Sequence, residues 1–537
     1  DVYKRQTYRI FILGGSAARG TPEPRYGFGR ILEVMLEESY PGRRFEVVNT
    51  AMVAINSHVV LPIARECARH EPDLFIIYLG NNEVVGPFGP GTVLSRLPRQ
   101  SSAVQMRIAL SSTRIGQLFE LLGGWVAASP EMPVTQQASL LFLDNLVPWG
   151  DPGLDSVYAH FAENLKGIRD AGLAGGAKVI LCNVASNLRD CPPFAPQHRP
   201  GLSKADDEQW ERIYAEGKAS ESAGNLARAI ERYAAAAEID DRHADLQFRL
   251  ARAYWSLGEY EQARELYIAA RDLDCLRFRA DSRINQIIRS VAEEKPGSDV
   301  RFADVVAAVA DRSPQQVPGA EFFYEHVHFT FQGNHLLART VLEQLEAALP
   351  ERFPRAHGTR DVLTVEQSAK LLAHTEWDHR RIIGNVLKAY VGSPPFVGQI
   401  YHEEGVKRLG DQFRKLHLST LPRGLEDAVE QYRNAIQRYP SDWELRWKFS
   451  GLLASGLKDY PESLVQIREA AETYPDFRIL NQLGNRSRIL GDLDEAEAAY
   501  LRSLEITSSS AAHFGLGRVL RAKGHLGGAI KPVSYTH

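Results

Sequence analysis

Short apolar runs alternate with longer amphipathic stretches in the first part of the chain, and this alternation restricts the fold more than any other feature. The runs 9–13, 45–49 and 74–79 have the length and composition of strands, and the stretches 29–40 and 59–70 between them have helical spacing. Strands that alternate with helices pair in parallel in α/β proteins. We therefore predict a parallel sheet covered by helices.

The sheet is predicted to continue later in the chain. The run 178–184 follows a helical stretch at 158–171 and has the pattern of a fourth strand, and 300–306 is a weaker fifth. The first three strands end in small or amide residues, at the edge where open parallel sheets place ligands and chemistry. Candidate functional residues are therefore sought at the strand ends.

Two other parts of the chain repeat with a period of 34 residues. In the first, that offset pairs Gly217 with Ala251, Gly224 with Gly258, Ala229 with Ala263, Tyr233 with Tyr267 and Ala236 with Ala270. After residue 400 the same small and aromatic residues recur at Ala428, Tyr432, Ala435, Trp447, Gly451, Ala470, Gly484, Gly491, Ala496, Tyr500, Gly517, Gly524 and Ala529. The period and these residues are typical of tetratricopeptide repeats, helix pairs that stack into a binding surface.

Charge and cysteine usage exclude two classes of function. The formal net charge is -4, so the chain lacks the basic field that binds DNA or RNA, and nucleic acid is not expected as a partner. The four cysteines are widely spaced, without a Cys-x-x-Cys pair or a Cys/His cluster, so neither a disulfide framework nor a structural metal is indicated.

The first strand leads into Gly14-Gly15-Ser16, where two glycines allow a sharp turn that would present the serine. A phosphate-binding loop is the alternative. The Gly-x-Gly-x-x-Gly spacing is absent, however, and Gly15–Thr21 lacks the lysine of a P-loop. Ser16 is therefore a candidate nucleophile.

The second and third strand ends offer hydrogen-bond donors for an oxyanion. Asn82 can donate from its side chain, and Ala54 and Ser16 can donate backbone N–H groups. Taken alone, an asparagine at a strand end is more often a turn residue than an oxyanion donor. The neighbouring polar and small residues are candidates for a substrate pocket: Gly15, Asn81, Glu83 and, after the fourth strand, Asn187.

Glu325 and His328 are three residues apart on a turn that enters a helix. This spacing can bring the carboxylate to the imidazole and leave the other ring nitrogen free to take a proton from Ser16. His326 is a competing histidine that the pattern does not separate from His328. A metal site is a further alternative, but no second carboxylate and histidine set at ligand spacing accompanies the pair, and no metal is predicted.

These blocks together resemble the SGNH or GDSL-like hydrolase superfamily, whose flavodoxin-like fold is a three-layer α/β domain with a parallel sheet. The matching stretches, in the family's order, are Gly14–Ser16, Asn49–Ala54, Gly80–Glu83 and Glu325–His328, with Gly333 following. The resemblance implies Ser16 as nucleophile, His328 as base and Ser16, Ala54 and Asn82 as oxyanion donors. The chain departs from the family pattern at Gly15, which replaces Asp, at Ala54, which replaces Gly, and at Glu325, which replaces Asp.

The resemblance divides the chain into a hydrolase domain and repeats. It predicts an SGNH domain over 7–202 and 285–350, inserted repeats over 203–284, a helical connector over 351–400 and a C-terminal repeat array over 401–531. The implied activity is hydrolysis of an acyl ester on a small molecule or carbohydrate, without a cofactor, with a protein or peptide partner on the repeats. The alternatives are a catalytically impaired scaffold and an O-acyltransferase.

The termini indicate a fragment of a longer protein. The chain lacks an initiator Met, and residues 1–6 and 532–537 fit neither neighbouring pattern and resemble adaptor-derived sequence. The order of parts resembles bacterial proteins that join an SGNH domain to tetratricopeptide repeats, often behind an N-terminal membrane anchor. An extracytoplasmic location is therefore expected if such an anchor precedes this segment, and a cytoplasmic one otherwise.

Overall fold

The structure is a computed structural model of the 537-residue chain. It describes residues 7–91, 143–350 apart from 296 and 298, 353, and 362–525 apart from 420. The two terminal segments singled out above, and Ala529, lie outside the described residues. The chain divides into a first unit, residues 1–365 and 382–410, and a second unit, residues 366–381 and 411–537.

The first unit contains a five-stranded parallel sheet of order β2-β1-β3-β4-β5, an order found in doubly wound α/β sheets. The strands are β1 Thr7–Gly14, β2 Arg44–Asn49, β3 Leu74–Tyr78, β4 Lys178–Cys182 and β5 Val300–Ala303. Every residue of the central β3 is buried, as expected for a strand covered on both faces. The predicted parallel sheet is thus confirmed.

The last strand is shorter than the predicted 300–306. Asp304 ends it because its carboxylate accepts a hydrogen bond from the Ala307 N–H at 3.1 Å and thereby caps the next helix. In the part of this unit that the structure describes, up to residue 350, the α-helices are α1 Ser16–Arg19, α2 Phe28–Ser39, α3 Ser57–Cys67, α4 Pro152–Ala174, α5 Lys204–Ser222, α6 Leu226–Ile239, α7 Ala244–Leu257, α8 Tyr260–Leu273, α9 Ser282–Glu293, α10 Val305–Arg312 and α11 Phe331–Glu346.

Two groups of helices cover the sheet. Helices α2 and α11 pack against each other, and α4 packs against both α3 and α9. Both groups also contact strands, so the sheet lies between two helical layers. This arrangement leaves the carboxyl ends of β1 and β3 and the segments that follow them available to form a site.

Helices α5–α8 form an insert between β4 and α9, in which each helix packs against the next. Glycines permit the close contacts within the pairs. A Cβ atom at Gly217 would lie 2.4 Å from the Tyr233 ring, so the position admits no side chain. Tyr233 is itself fully buried at this contact.

The second unit is built from stacked helical pairs. The remaining α-helices among the described residues are α12 Val365–Leu371, α13 Glu376–Val386, α14 His402–Ser419, α15 Pro422–Arg438, α16 Trp443–Leu452, α17 Tyr460–Thr473, α18 Phe477–Leu490, α19 Leu493–Ile506 and α20 Ser510–Ala522. A Cβ atom at Gly484 would lie 2.9 Å from the Tyr500 ring, the same kind of contact as in the insert. Among the described helices, none is long and apolar enough to cross a membrane.

The described part of the stretch 351–400, which was predicted to be a helical connector, contributes side chains to two cores. Ala373 and Trp377 pack with Tyr432 in a core of the second unit, whereas Tyr390 and Phe396 pack in a core of the first. Apolar side chains in this stretch therefore serve two different cores, a division that their spacing along the chain did not reveal.

Candidate active site

Ser16 begins helix α1 directly after the end of β1. A Cβ atom at Gly14 would lie 2.1 Å from the Tyr78 carbonyl oxygen of the neighbouring strand, so only glycine fits here. The chain then turns at Gly15 and presents a partly exposed serine at the carboxyl edge of the sheet.

The second part of the site is a tight turn that we call the hairpin, residues 322–330. The Tyr324 N–H donates to the His328 carbonyl, and the Thr330 N–H donates to the Phe322 carbonyl, both at 2.9 Å. The Thr330 hydroxyl then caps α11 by accepting from the Gly333 N–H at 3.2 Å. These bonds fold the intervening residues back on themselves and bring Glu325 to His328.

The structure brings Ser16, His328 and Glu325 together in one chain of contacts. The His328 Nε2 and Ser16 Oγ atoms are 2.8 Å apart, and the His328 Nδ1 atom contacts the Glu325 carboxylate. His328 and Glu325 are only 5% and 6% exposed, so the surrounding protein fixes their orientation. This geometry allows the imidazole to accept the hydroxyl proton while the carboxylate stabilises the imidazolium that forms.

The longer carboxylate of Glu325 also serves a second histidine. One oxygen contacts His328 Nδ1 and the other contacts His326 Nδ1 and the backbone N–H groups of His326 and Val327. Burial opposes ionisation of Glu325, but the two histidines outweigh it and hold the pKa of this carboxyl below its ordinary value. Glu325 is therefore a carboxylate with both oxygens engaged.

His326 does not reach the serine and lies in an aromatic enclosure instead. Its ring lies 5.6 Å from Phe194, 5.9 Å from Phe278 and 5.4 Å from Phe396, measured between ring centroids. Burial lowers the pKa of His326 despite the nearby Glu325 carboxylate. His326 thus anchors the carboxylate, whereas His328 contacts the nucleophile.

Asn187 was predicted to line a substrate pocket, and the structure places it against the backbone of the hairpin. It is fully buried, its amide donates to the Glu325 carbonyl at 2.9 Å, and its backbone N–H donates to the His326 carbonyl at 2.9 Å. A side chain with these bonds cannot line a substrate pocket. Asn187 supports the backbone of the hairpin instead, a role that depends on a contact across 138 positions of sequence.

Asn82 and Gly15 lie beside each other next to Ser16. A Cβ atom at Gly15 would lie 3.1 Å from the Asn82 Nδ2 atom, and that same amide donates to the Ile55 carbonyl at 3.1 Å. The amide therefore connects the turn before the serine with the loop after β2. Its second hydrogen can serve an oxyanion bound at Ser16.

Ala54 lies on the exposed part of the loop after β2 and has a φ of 58°, in the left-handed region. A residue with a Cβ adopts this conformation at a cost of about 1–2 kcal/mol relative to a right-handed one. The replacement of glycine by Ala54 therefore retains the backbone N–H and adds strain to the loop.

The side chains of Asn81 and Glu83 are both hydrogen-bonded to other parts of the protein. The Asn81 side chain accepts from the Ala280 N–H at 3.1 Å. Glu83 is buried and accepts from the N–H and the hydroxyl of Ser57 at 3.0 and 2.7 Å, and burial raises its pKa to about 7. The carboxyl group of Glu83, which was predicted to line a substrate pocket, is thus engaged by Ser57 at the start of α3.

Two aromatic residues of the site lie in the stretch that was predicted to be a connector. The Tyr390 ring packs 5.4 Å from the His328 ring at an interplanar angle of 68°, and Phe396 packs on His326. Burial and the Glu325 charge raise the pKa of Tyr390 to about 12. No motif marks these residues, and the aromatic side chains themselves were the only signal in the sequence.

The two imidazoles and the carboxylate of Glu325, His326 and His328 also meet the spacing of a metal site. Their ligand atoms all lie within 4.8 Å of one another. A neutral imidazole has one free lone pair on its ring nitrogens, and a metal ion bound to His328 would use the lone pair that must accept the Ser16 proton. Metal binding and proton transfer from Ser16 are therefore alternative uses of the same residues.

Comparison with known families identifies the repeats. Sequence models of the tetratricopeptide repeat match residues 222–274 and 477–509. These ranges coincide with α6–α8 and with α18–α19. The chain contains tetratricopeptide repeats. The prediction of such repeats in the insert and in the C-terminal part is thus confirmed, and repeats of this type suggest a protein-interaction surface.

Solved structures that the chain resembles include three MamA proteins. The first, a MamA crystal structure, has 17% identity over 30% of this chain and 80% of its own, with a TM-score of 0.21. MamA MSR-1 C2 has 14% identity over 30% and 94%, and MamA 41-end from Desulfovibrio magneticus RS-1 has 15% over 30% and 92%, each with a TM-score of 0.21. These scores are too low for a conclusion about function. No curated protein matches the chain.

Proposed function

We propose that this protein is a serine ester hydrolase of the SGNH type whose tetratricopeptide repeats bind a protein partner or the substrate's carrier. The observation that supports the proposal most directly is the contact chain from Ser16 through His328 to Glu325, with 2.8 Å between the hydroxyl oxygen and the imidazole. The substrate class is an acylated carbohydrate, lipid or polymer.

The reaction divides into acylation and hydrolysis. His328 removes the proton from Ser16 as the hydroxyl oxygen attacks the ester carbonyl, and the protonated imidazole then gives that proton to the leaving alcohol. Water then attacks the acyl-enzyme with His328 again as base; the bond between the acyl carbon and the Ser16 oxygen breaks, the carboxylic acid leaves, and the imidazolium returns the proton to Ser16. The Asn82 amide and the N–H groups of Ser16 and Ala54 would stabilise the oxyanion in both steps.

A second candidate function is that of a scaffold in which the α/β domain no longer turns over an ester. The tetratricopeptide matches favour this candidate, because the repeats are the part of the chain that known families identify. The strained Ala54 and the replacement of Asp by Glu325 are also compatible with lost turnover. The two candidates differ in whether Ser16 reacts.

The experiment that separates them is hydrolysis of p-nitrophenyl acetate and butyrate by the purified protein, combined with labelling by a fluorophosphonate probe. We expect turnover and labelling in the natural sequence and a loss of about a hundredfold or more in Ser16→Ala and His328→Ala. Ser455→Ala, which changes an exposed serine of the second unit, is the matched control and should retain both.

Equal trace activity in all four proteins, without labelling of Ser16, would contradict the hydrolase proposal. It would favour the scaffold, and the repeats should then be used to capture a partner.

A further inference from the structure

One segment of the chain joins the inserted repeats to the two histidines of the site. We call residues 387–404 the strap. One end of the strap packs on the hairpin through Tyr390 and Phe396, and the other end lies on the insert through Tyr401 and Glu404. All of these residues belong to the first unit.

The Tyr401 side chain lies across the first helices of both repeats in the insert. Its hydroxyl contacts Glu221 of α5 and accepts from Arg249 Nη1 of α7 at 2.9 Å. The Arg252 guanidinium lies 3.8 Å from the centre of its ring, and the Phe248 ring lies 6.2 Å away. Tetratricopeptide repeats bind peptides on the surface that their first helices form, so the strap occupies this surface as a ligand in the same chain.

The backbone conformation of Tyr401 depends on these contacts. Its φ is 54°, in the left-handed region that bulky residues rarely adopt. Such a conformation persists only when the surrounding contacts fix it. Glu404 adds a paired contact to Arg252, with N–O distances of 3.0 and 3.2 Å.

The other end of the strap closes the side of the site. Phe396 is 7% exposed and lies 5.0 Å from the Phe194 ring in the enclosure around His326. A cavity of about 60 Å³ lies between the two ends, and its lining includes Phe248, Tyr401, Phe396 and Glu325. Loss of the Tyr401 ring would enlarge this cavity beside the Glu325 carboxylate, and additional water there would weaken the electrostatic contacts of that carboxylate.

We propose that Tyr401 is a positioning residue. Its contacts with the inserted repeats fix the strap, and the fixed strap keeps Tyr390 and Phe396 packed against the histidines of the active site. The effect on catalysis rests on the proposed hydrolase function, whereas the link from the repeats through the strap to the hairpin does not. The repeats of the insert thus act within the chain to shape the site.

The test compares Tyr401→Ala and Tyr401→Phe with the natural sequence by hydrogen–deuterium exchange and by ester hydrolysis. We expect faster exchange at 387–400 and at 322–330 in Tyr401→Ala, with a fall of about tenfold in kcat and a smaller change in KM. Tyr401→Phe keeps the ring contact with Arg252 and should recover most of the rate. Tyr260→Ala is the matched control, because this tyrosine lies on α8 of the same insert and packs on Trp255, outside the strap.

Loss of protection from hydrogen–deuterium exchange across α5–α8 would show that Tyr401→Ala unfolds the insert. In that case a second pair of variants tests the link. Glu404→Arg replaces the ion pair with Arg252 by repulsion between two cations. Glu403→Arg, at the exposed neighbouring position, is its control. Faster exchange of the strap in Glu404→Arg alone supports the proposal.

Unchanged exchange at 387–400 in both test variants would overturn the link. Faster exchange with an unchanged or higher kcat would overturn the positioning role, and a higher kcat would make the strap a cover over the serine. If the natural sequence hydrolyses no ester, the hydrolase proposal fails, and exchange at 322–330 still decides whether Tyr401 holds the hairpin.

Discussion

The buried carboxyl group of Glu83 gives a pH-dependent stability that can be calculated from the structure. The group has no cationic partner among its hydrogen-bond contacts, which are the N–H and the hydroxyl of Ser57. Burial raises its pKa from 4.5 to about 7, against the smaller effect of these two donors. At ~1.4 kcal/mol per pKa unit, the difference corresponds to about 3 kcal/mol between the two protonation states.

The sign follows from proton linkage. The folded state binds this proton more tightly than the unfolded state, so the stabilisation is fully present below pH 4.5 and is lost as the pH rises through 7. Glu83→Gln resembles the protonated form at every pH. We therefore expect this variant to match the natural protein near pH 4.5 and to exceed it by up to about 3 kcal/mol at pH 8.5.

The assay is hydrogen–deuterium exchange of the α3 amides, corrected for the intrinsic exchange rate at each pH, which gives the free energy of opening at the segment that Glu83 contacts. Glu163→Gln, on the exposed side of α4, is the matched control and should leave the difference between pH 4.5 and pH 8.5 unchanged. A variant that gains the same amount at both pH values, or that loses stability at pH 8.5, would refute the reasoning, because the Ser57 donors would then favour the ionised carboxylate.

Four further predictions concern the site. Asn82→Ala should lower kcat by a factor of about 100 to 1,000, the effect of removing one oxyanion donor, and an unchanged kcat would show that the amide only holds the loop. His326→Ala should lower kcat about tenfold with little change in KM, because one Glu325 oxygen loses its imidazole; an unchanged kcat would leave His326 without a positioning role. Ala54→Gly should raise the free energy of unfolding by about 1 kcal/mol in thermal denaturation without loss of activity, and a decrease would mean that the 58° φ carries no strain. Hydrolysis should persist in EDTA if Ser16 is the nucleophile, whereas loss of activity that zinc restores would indicate a metal at Glu325, His326 and His328.

The sequence predicted the parts of the molecule that depend on local pattern. The buried strands, the 34-residue period and the glycines at helix contacts all follow from residues within one element or one repeat, and the parallel sheet and the repeats are confirmed. The pairing of Ser16 with His328 spans 312 positions and came from the order of the family blocks, so their catalytic role stays a prediction.

The structure adds contacts between distant segments that no local pattern contains. Asn187 and Glu83 follow strands like true pocket residues, but the hairpin and α3 cover them, and neither cover is visible in a local pattern. The alternation of His326 and His328 could not separate the two histidines. The structure separates them by their contacts, because the His328 Nε2 atom lies 2.8 Å from Ser16 Oγ, whereas the His326 ring packs against Phe194.

The replacement of Asp by Glu325 is the departure that most weakens a hydrolase assignment from sequence, and the structure offers a physical account of it. An extra methylene would leave a carboxylate loosely placed if it served His328 alone. Here the second oxygen is held by His326 and two backbone N–H groups, and Asn187 supports the same turn. The additional imidazole therefore holds the second oxygen of the longer side chain, and the rings of Phe194 and Phe396 pack around that imidazole. Under the proposed function, Glu325→Asp should lower kcat, because a side chain one methylene shorter is expected to lose part of its contact with the two imidazoles.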